Sequence, residues 1–153
     1  MSKREEFTTA LKEALKSKDQ VAMSTIRLMI AAMKDRDIAA RGNGNAEGVS
    51  DTEILSMMQS MIKQRQESCN TYADVGRDDL AERELDEIAV IRRFLPAQMG
   101  DEEVASAIET LISEVGASNI KDMGKVMNEL KTKYAGQLDM AKAGGLVKAK
   151  LAG

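Results

Sequence analysis

The chain is predicted to fold as an all-α protein, with a four-helix N-terminal subdomain (1–96) and a three-helix C-terminal subdomain (97–153). Apolar residues recur every three or four positions in seven segments, which is the period of a helix with one buried face. Alternating apolar–polar runs rich in β-branched residues are scarce, so a sheet is not expected. The single proline, Pro96, falls between the fourth and fifth segments, where a helix must end.

Phe7, Leu11, Ala14 and Leu15 form the stripe of a first helix near residues 3–17. Asp19 is placed to cap a second helix, roughly 20–40, carrying Val21, Leu28, Met29, Ala32 and Met33. The run Arg41 to Val49 holds three glycines and two asparagines and reads as a mobile loop. Ser50 with Glu53 makes a capping box for a third helix reaching about residue 73 or 75. A fourth spans roughly 78–94. Beyond Pro96, the carboxylates Asp101, Glu102 and Glu103 load the first turn of a fifth helix, whose stripe is Val104, Ile108, Leu111, Ile112 and Val115. Gly116 ends it. Val126, Met127, Leu130 and Tyr134 mark a sixth helix closed near Gly136, and Asp139 caps a short seventh with Leu146, Val147 and Leu151 facing inward.

The third and fourth helices read as a hairpin with charge on its inner faces. On a wheel at about 100° per residue, Ile54, Met58, Met61, Ile62, Arg65, Cys69 and Tyr72 share one stripe. After the turn at Gly76–Asp78, Leu80, Glu84, Ile88, Ile91 and Leu95 form the facing one. A charge in such a place is costly unless paired. Arg65, Tyr72, Arg77, Glu84 and Glu87 are therefore expected to form a polar network, joined by Arg27 of the second helix, that fixes hairpin register.

Charged residues make up 31% and hydrophobic residues 43% of the chain, a globular balance. The 11 methionines take the place of aromatics and are read as adaptable core filling. With no histidine, His-based triads and His-ligated metals are excluded. Cys69 lies on the inward stripe with no neighbouring imidazole and is read as a buried structural thiol. The acids Glu82, Glu84, Asp86 and Glu87 are read as ion-pair partners of nearby arginines, not as a metal site. No nucleotide-binding or amidase motif occurs, so no catalytic residue, metal or cofactor is assigned. A lone cysteine, no apolar run of spanning length and a start without a signal-peptide core suggest a cytoplasmic protein with no membrane partner.

Charge is uneven along the chain. All nine arginines precede Pro96, residues 97–120 hold five acids and no base, and residues 121–153 hold seven lysines against three acids. That last balance of +4 reads either as solvated helix faces or as a surface for RNA phosphates. Gly124 interrupts the sixth helix. It marks either a close helix–helix contact or a helix start open to a phosphate.

The order KQR-x-ES, Tyr, GR-x-DLA, E-x-x-EI and LP between Lys63 and Pro96, followed by DMGKVM from Asp122, resembles the YqeY-like family. That family shares a domain with the tail of the B subunit of tRNA-dependent amidotransferases. The family commonly has Asp-Gly where this chain has Asp139-Met140, so the last helix is expected to be shifted. The resemblance implies a non-catalytic, tRNA-associated protein, with an amidotransferase or another translation-linked protein as partner. Any tie to glutamine-dependent amide transfer (a carbon–nitrogen ligase activity) would be as an accessory. It makes Lys121, Gly124, Lys125, Lys131 and Lys133 candidate RNA contacts, with Lys148 or Lys150 beside them from the last helix. Lys121 and Lys125 should share a side if the sixth helix reaches back that far, and Lys133 ranks next. The other reading is a helical protein–protein adaptor with no RNA role.

Overall fold

The computed structural model describes residues 1–152, all of whose regular structure is helical. Seven α-helices follow in order: α1 (Lys3–Ser17), α2 (Gln20–Gly42), α3 (Asp51–Asp74), α4 (Asp78–Arg92), α5 (Asp101–Val115), α6 (Met123–Lys133) and α7 (Met140–Ala152), with a 3₁₀ turn at Ile120–Asp122 before α6. No strand occurs among the described residues. The chain separates into one compact unit at Met1–Leu95, holding α1–α4, and a second beginning at Pro96, holding α5–α7.

Local chemistry fixes the helix ends. Ser2 and Ser50 each close a capping box with the glutamate three residues on, Glu5 and Glu53. The Asp19 carboxylate accepts from Ala22 N–H at 3.1 Å and starts α2. Gly116 takes the left-handed conformation that ends α5, at φ 68°. Asp139 accepts from the N–H groups of Ala141 and Lys142 at the start of α7. The helix then runs unbroken through Gly144 and Gly145.

In the first unit Phe7, Ile26, Met29, Ile54, Met58 and Ile91 are fully enclosed. Each such side chain gains about 1.5–3 kcal/mol on leaving water. Phe7 meets Phe94 edge to face, with ring centroids 5.2 Å apart, and Lys3 Nζ donates to Phe94 O at 2.7 Å. The start of α1 is thereby fastened to the segment that leaves α4. The second unit is built around Val104, Ile108, Leu111, Val126, Leu130, Leu138, Ala143, Val147 and Leu151.

Several expectations for the buried faces need correction. Leu15 is exposed because α1 buries Phe7, Ala10 and Ala14, and Val21 and Leu28 are exposed because the buried line of α2 is Ala22, Ile26, Met29 and Met33. Leu146 is also exposed, while Val147 and Leu151 are buried as expected. The error in α2 is a rotation of the wheel: small Ala22 faces the core and larger Val21 does not. The loop expected to be mobile is tied down at its far end. Asp37 is buried on α2, pairs with Arg4 and accepts from Val49 N–H at 2.9 Å, while Asn45 donates to Gly48 O at 2.9 Å.

Candidate functional site

Arg65 of α3 and Glu87 of α4 meet across the hairpin, with Arg65 Nε 3.1 Å from Glu87 Oε2 and side chains 14% and 15% exposed. Arg65 also donates to the Met61 carbonyl at 3.2 Å, so its guanidinium is held from two sides. Arg83 approaches Glu87 from solvent at 4.0 Å. Glu84 lies one turn before Ile88 and is partly buried, without a direct ion pair among the described residues. Burial, and then the Glu87 charge, push its carboxyl above the usual glutamate range, against the pull of Arg65 and Arg83.

The expected six-residue network is therefore smaller. Arg77 is exposed and pairs with Asp79, two residues away, at 3.2 Å. Arg27 is exposed on α2 and carries no carboxylate partner among the described residues. No hydrogen bond links the Tyr72 hydroxyl to Arg65 or Glu84. Tyr72 instead borders a shallow surface depression with Gln64, Glu67, Ser68 and Thr71, all on α3. Residue type alone pointed to Arg27 and Arg77, but Arg77, at the start of α4, takes the exposed acid two residues on, and Arg27 lies on an exposed face of α2.

A second ion pair, between half-buried Arg4 and buried Asp37, has no sequence motif to announce it. Arg4 donates from both terminal nitrogens to the two Asp37 oxygens at 2.6 Å each, and from Nη2 to Val49 O at 2.8 Å. The Arg4 guanidinium holds the Asp37 carboxyl well below the usual range, against the cost of burial. A charge on the buried face of α2 was the available signal.

In the second unit the lysines divide into two groups. Lys133 pairs with Glu114 at 3.0 Å, Lys142 with Asp101 at 3.6 Å, and Lys150 with Glu109. All three acids belong to α5, so the acid run and the lysine run of the sequence neutralise one another in three dimensions. From residue 97 onward seven lysines stand against eight carboxylates, which removes the local excess read from the tail alone. Lys121, Lys125, Lys131 and Lys148 are exposed and enter no salt bridge among the described residues, although the Lys125 charge acts on the nearby Asp122 carboxylate.

Lys121 lies on the 3₁₀ turn and not on α6, which starts at Met123, so the two lysines do not share one continuous helix. Asp122 turns its carboxylate back onto the N–H groups of Ser118 and Asn119, at 3.0 and 3.4 Å. Those bonds hold its pKa below the usual range. Gly124 is exposed, and a Cβ there would meet nothing within 4 Å, so it does not mark a close helix contact. Gly144 of α7 is the glycine that faces α6, where a Cβ would make ordinary contact with Met127 Cε at 3.6 Å and Met123 Cε at 3.8 Å. Among the described residues no three of His, Cys, Asp and Glu come together as a metal cluster would require.

These features define an all-helical protein with an ion-paired αα-hairpin and a separate, internally neutralised three-helix unit. A family model described as Yqey-like protein matches residues 4–151, and the chain belongs to that family. It is similar to "Altered inheritance of mitochondria protein 41, mitochondrial" of Saccharomyces cerevisiae, 27% identical over 126 residues, which cover 78% of this chain and 65% of the relative. The protein of that name from Lachancea thermotolerans is 29% identical over 112 residues, covering 71% and 57%. That from Clavispora lusitaniae is 28% identical over 111 residues, covering 71% and 62%. The chain thus spans slightly under two thirds of the length of these relatives. Their names place them in mitochondria, which overturns the cytoplasmic expectation. A free thiol fits any reducing compartment, and that no helix among the described residues is long and apolar enough to cross a membrane does not choose between compartments.

Proposed function

We propose that the protein is a non-catalytic, tRNA-associated helical protein that contacts RNA phosphates through Lys121 and Lys125, on either side of exposed Gly124. One observation carries the reading: Lys121 and Lys125 are exposed and enter no salt bridge among the described residues, while Lys133, Lys142 and Lys150 are taken by acids of α5. The resemblance of the DMGKVM segment to the amidotransferase tail supports tRNA as the anion, with an accessory role beside glutamine-dependent amide transfer. Lys148 joins the surface from α7, whereas Lys133 is the weakest of the candidates because it must first leave Glu114. The division into subdomains 1–96 and 97–153 is part of the same proposal, with the RNA contacts on the second.

The test is a filter-binding titration of bulk tRNA over a salt series, with the full chain and with Lys121→Glu/Lys125→Glu. The double variant should bind more weakly, with a log–log salt slope flattened by about 0.7–0.9 for each phosphate it no longer neutralises. Its helical circular dichroism should be unchanged, because exposed charges contribute little to stability. Unchanged affinity and slope in a folded variant would replace this reading with that of a protein–protein adaptor.

A further inference from the structure

Helix α2 carries a second charged surface, in the other unit, that the tRNA reading does not use. With Ala22 at zero and about 100° per residue, Met23, Arg27, Ile30, Lys34, Ile38 and Arg41 fall within about 80° of arc. They follow one another at steps of four, three, four, four and three residues, and along that line apolar and cationic side chains alternate strictly. The line runs beside the buried face made by Ala22, Ile26, Met29 and Met33. Met23 and Ile30 are half-buried, packing on the first unit's core, while Arg27, Lys34 and Arg41 are exposed. Ile38, in the last turns of the helix, is 65% exposed.

Two of the three charges on this line have no acid beside them. Neither Arg27 nor Lys34 has a carboxylate partner among the described residues, whereas the Arg41 guanidinium donates to the Ala46 carbonyl at 3.5 Å and its charge also acts on the buried Asp37 carboxylate one turn back. At about 1.5 Å per residue the cations stand roughly 10 Å apart over some 21 Å of helix. The same spacing recurs every two turns on any helix packed alongside.

We propose that this line is a docking seam for an acidic amphipathic helix of a partner protein, with partner carboxylates on Arg27, Lys34 and Arg41 and partner aliphatics on Ile30 and Ile38. Charge complementarity sets the sign of the partner and the interleaved isoleucines set its class. An isoleucine neither stacks on a base nor pairs with a phosphate, so it adds nothing to an RNA contact. A bilayer surface would call for a broad apolar face, whereas this one is a single side chain wide and is bounded on its outer side by Ala31 and Asp35. Apolar contacts flanked by ion pairs are the pattern of paired helices.

Fluorescence anisotropy with the full chain tests the proposal. The probe is a labelled synthetic helix with leucines at heptad a and d positions and glutamates beside them, and a second probe carries lysines in place of the glutamates. The glutamate helix should bind and the lysine helix should not. Arg27→Glu/Lys34→Glu should weaken the binding at least tenfold, as should Ile38→Ser, each with unchanged helical content. Arg36→Glu, a cation on α2 but off the line, should leave it unaltered. Equal weakening by Arg36→Glu would reduce the effect to net charge and overturn the seam. Displacement of the probe by bulk tRNA, with tRNA binding lost in Arg27→Glu/Lys34→Glu, would make the surface an RNA site and overturn it too. Failure of the probe to bind, with self-association of the chain abolished by the same variant, would assign the surface to a second copy. The Lys121 and Lys125 variant should bind the glutamate helix normally, which keeps this outcome apart from that of the tRNA reading.

Discussion

Gly48 and Asp37 exclude any side chain between them: a Cβ on Gly48 would fall inside contact distance of Asp37 Oδ1, and Gly48 itself sits at φ 85°. The glycine lets the backbone turn tightly enough for Val49 to reach the carboxylate that Arg4 already holds. Gly48→Ala combines a left-handed backbone with a clash against a buried ion pair. It should lower stability by roughly 2 kcal/mol or more, measured by urea denaturation.

Asp37→Asn should destabilise the protein most at neutral pH. The Asp37 carboxyl titrates below its unfolded value of about 3.9, so its contribution is fully present above that value and is lost as pH falls through the folded pKa. The difference between the parent and Asp37→Asn should therefore shrink below about pH 4. A difference that stays constant from pH 7 to pH 3 would remove the ion pair as its cause.

Arg65→Ala leaves Glu87 charged and mostly enclosed, and should cost about 3 kcal/mol. Replacing both members, as Arg65→Met with Glu87→Leu, should cost much less, because the desolvation penalty of both charges disappears together. A double-mutant cycle by chemical denaturation gives the coupling, and additive losses would mean the pair does not act as a unit.

Glu84 has the opposite sign. Its folded pKa is raised, so ionisation weakens the fold above that pKa, and the penalty vanishes as pH falls below the unfolded value of about 4.3. Glu84→Gln should be neutral or stabilising at pH 7, with the gain absent at pH 4. Destabilisation at pH 7 would show that Arg65 needs both carboxylates.

The Thr25 hydroxyl is fully buried and has no hydrogen-bond partner among the described residues. A buried hydroxyl without a partner costs about 1–3 kcal/mol, and valine has nearly the same shape. Thr25→Val should therefore raise the melting temperature.

The helices were legible because caps and glycines announce their ends: Ser50 with Glu53, Asp19 and Gly116 all act where the sequence places them. The Arg65–Glu87 pair was legible because a charge in an apolar stripe must find an opposite charge. Arg4 and Asp37 lie 33 positions apart on helices read mainly for their apolar residues, and no short motif joins them. The free and bound lysines were beyond a reading of α6 and α7 alone, since α5 supplies the acids. Gly124 and Gly144 look alike in sequence, and only the packing of α6 on α7 tells which one touches a neighbour.

With no tryptophan in the chain, its two tyrosines are its natural fluorophores, and they are divided evenly: Tyr72 on α3 of the first unit and Tyr134 at the end of α6 in the second. Substituting one of them by phenylalanine leaves emission that reports on a single unit. Two such variants, melted side by side, reveal whether the chain unfolds in one cooperative step or two. The scarcity of aromatics thus gives each half its own optical label, without a dye or an added residue.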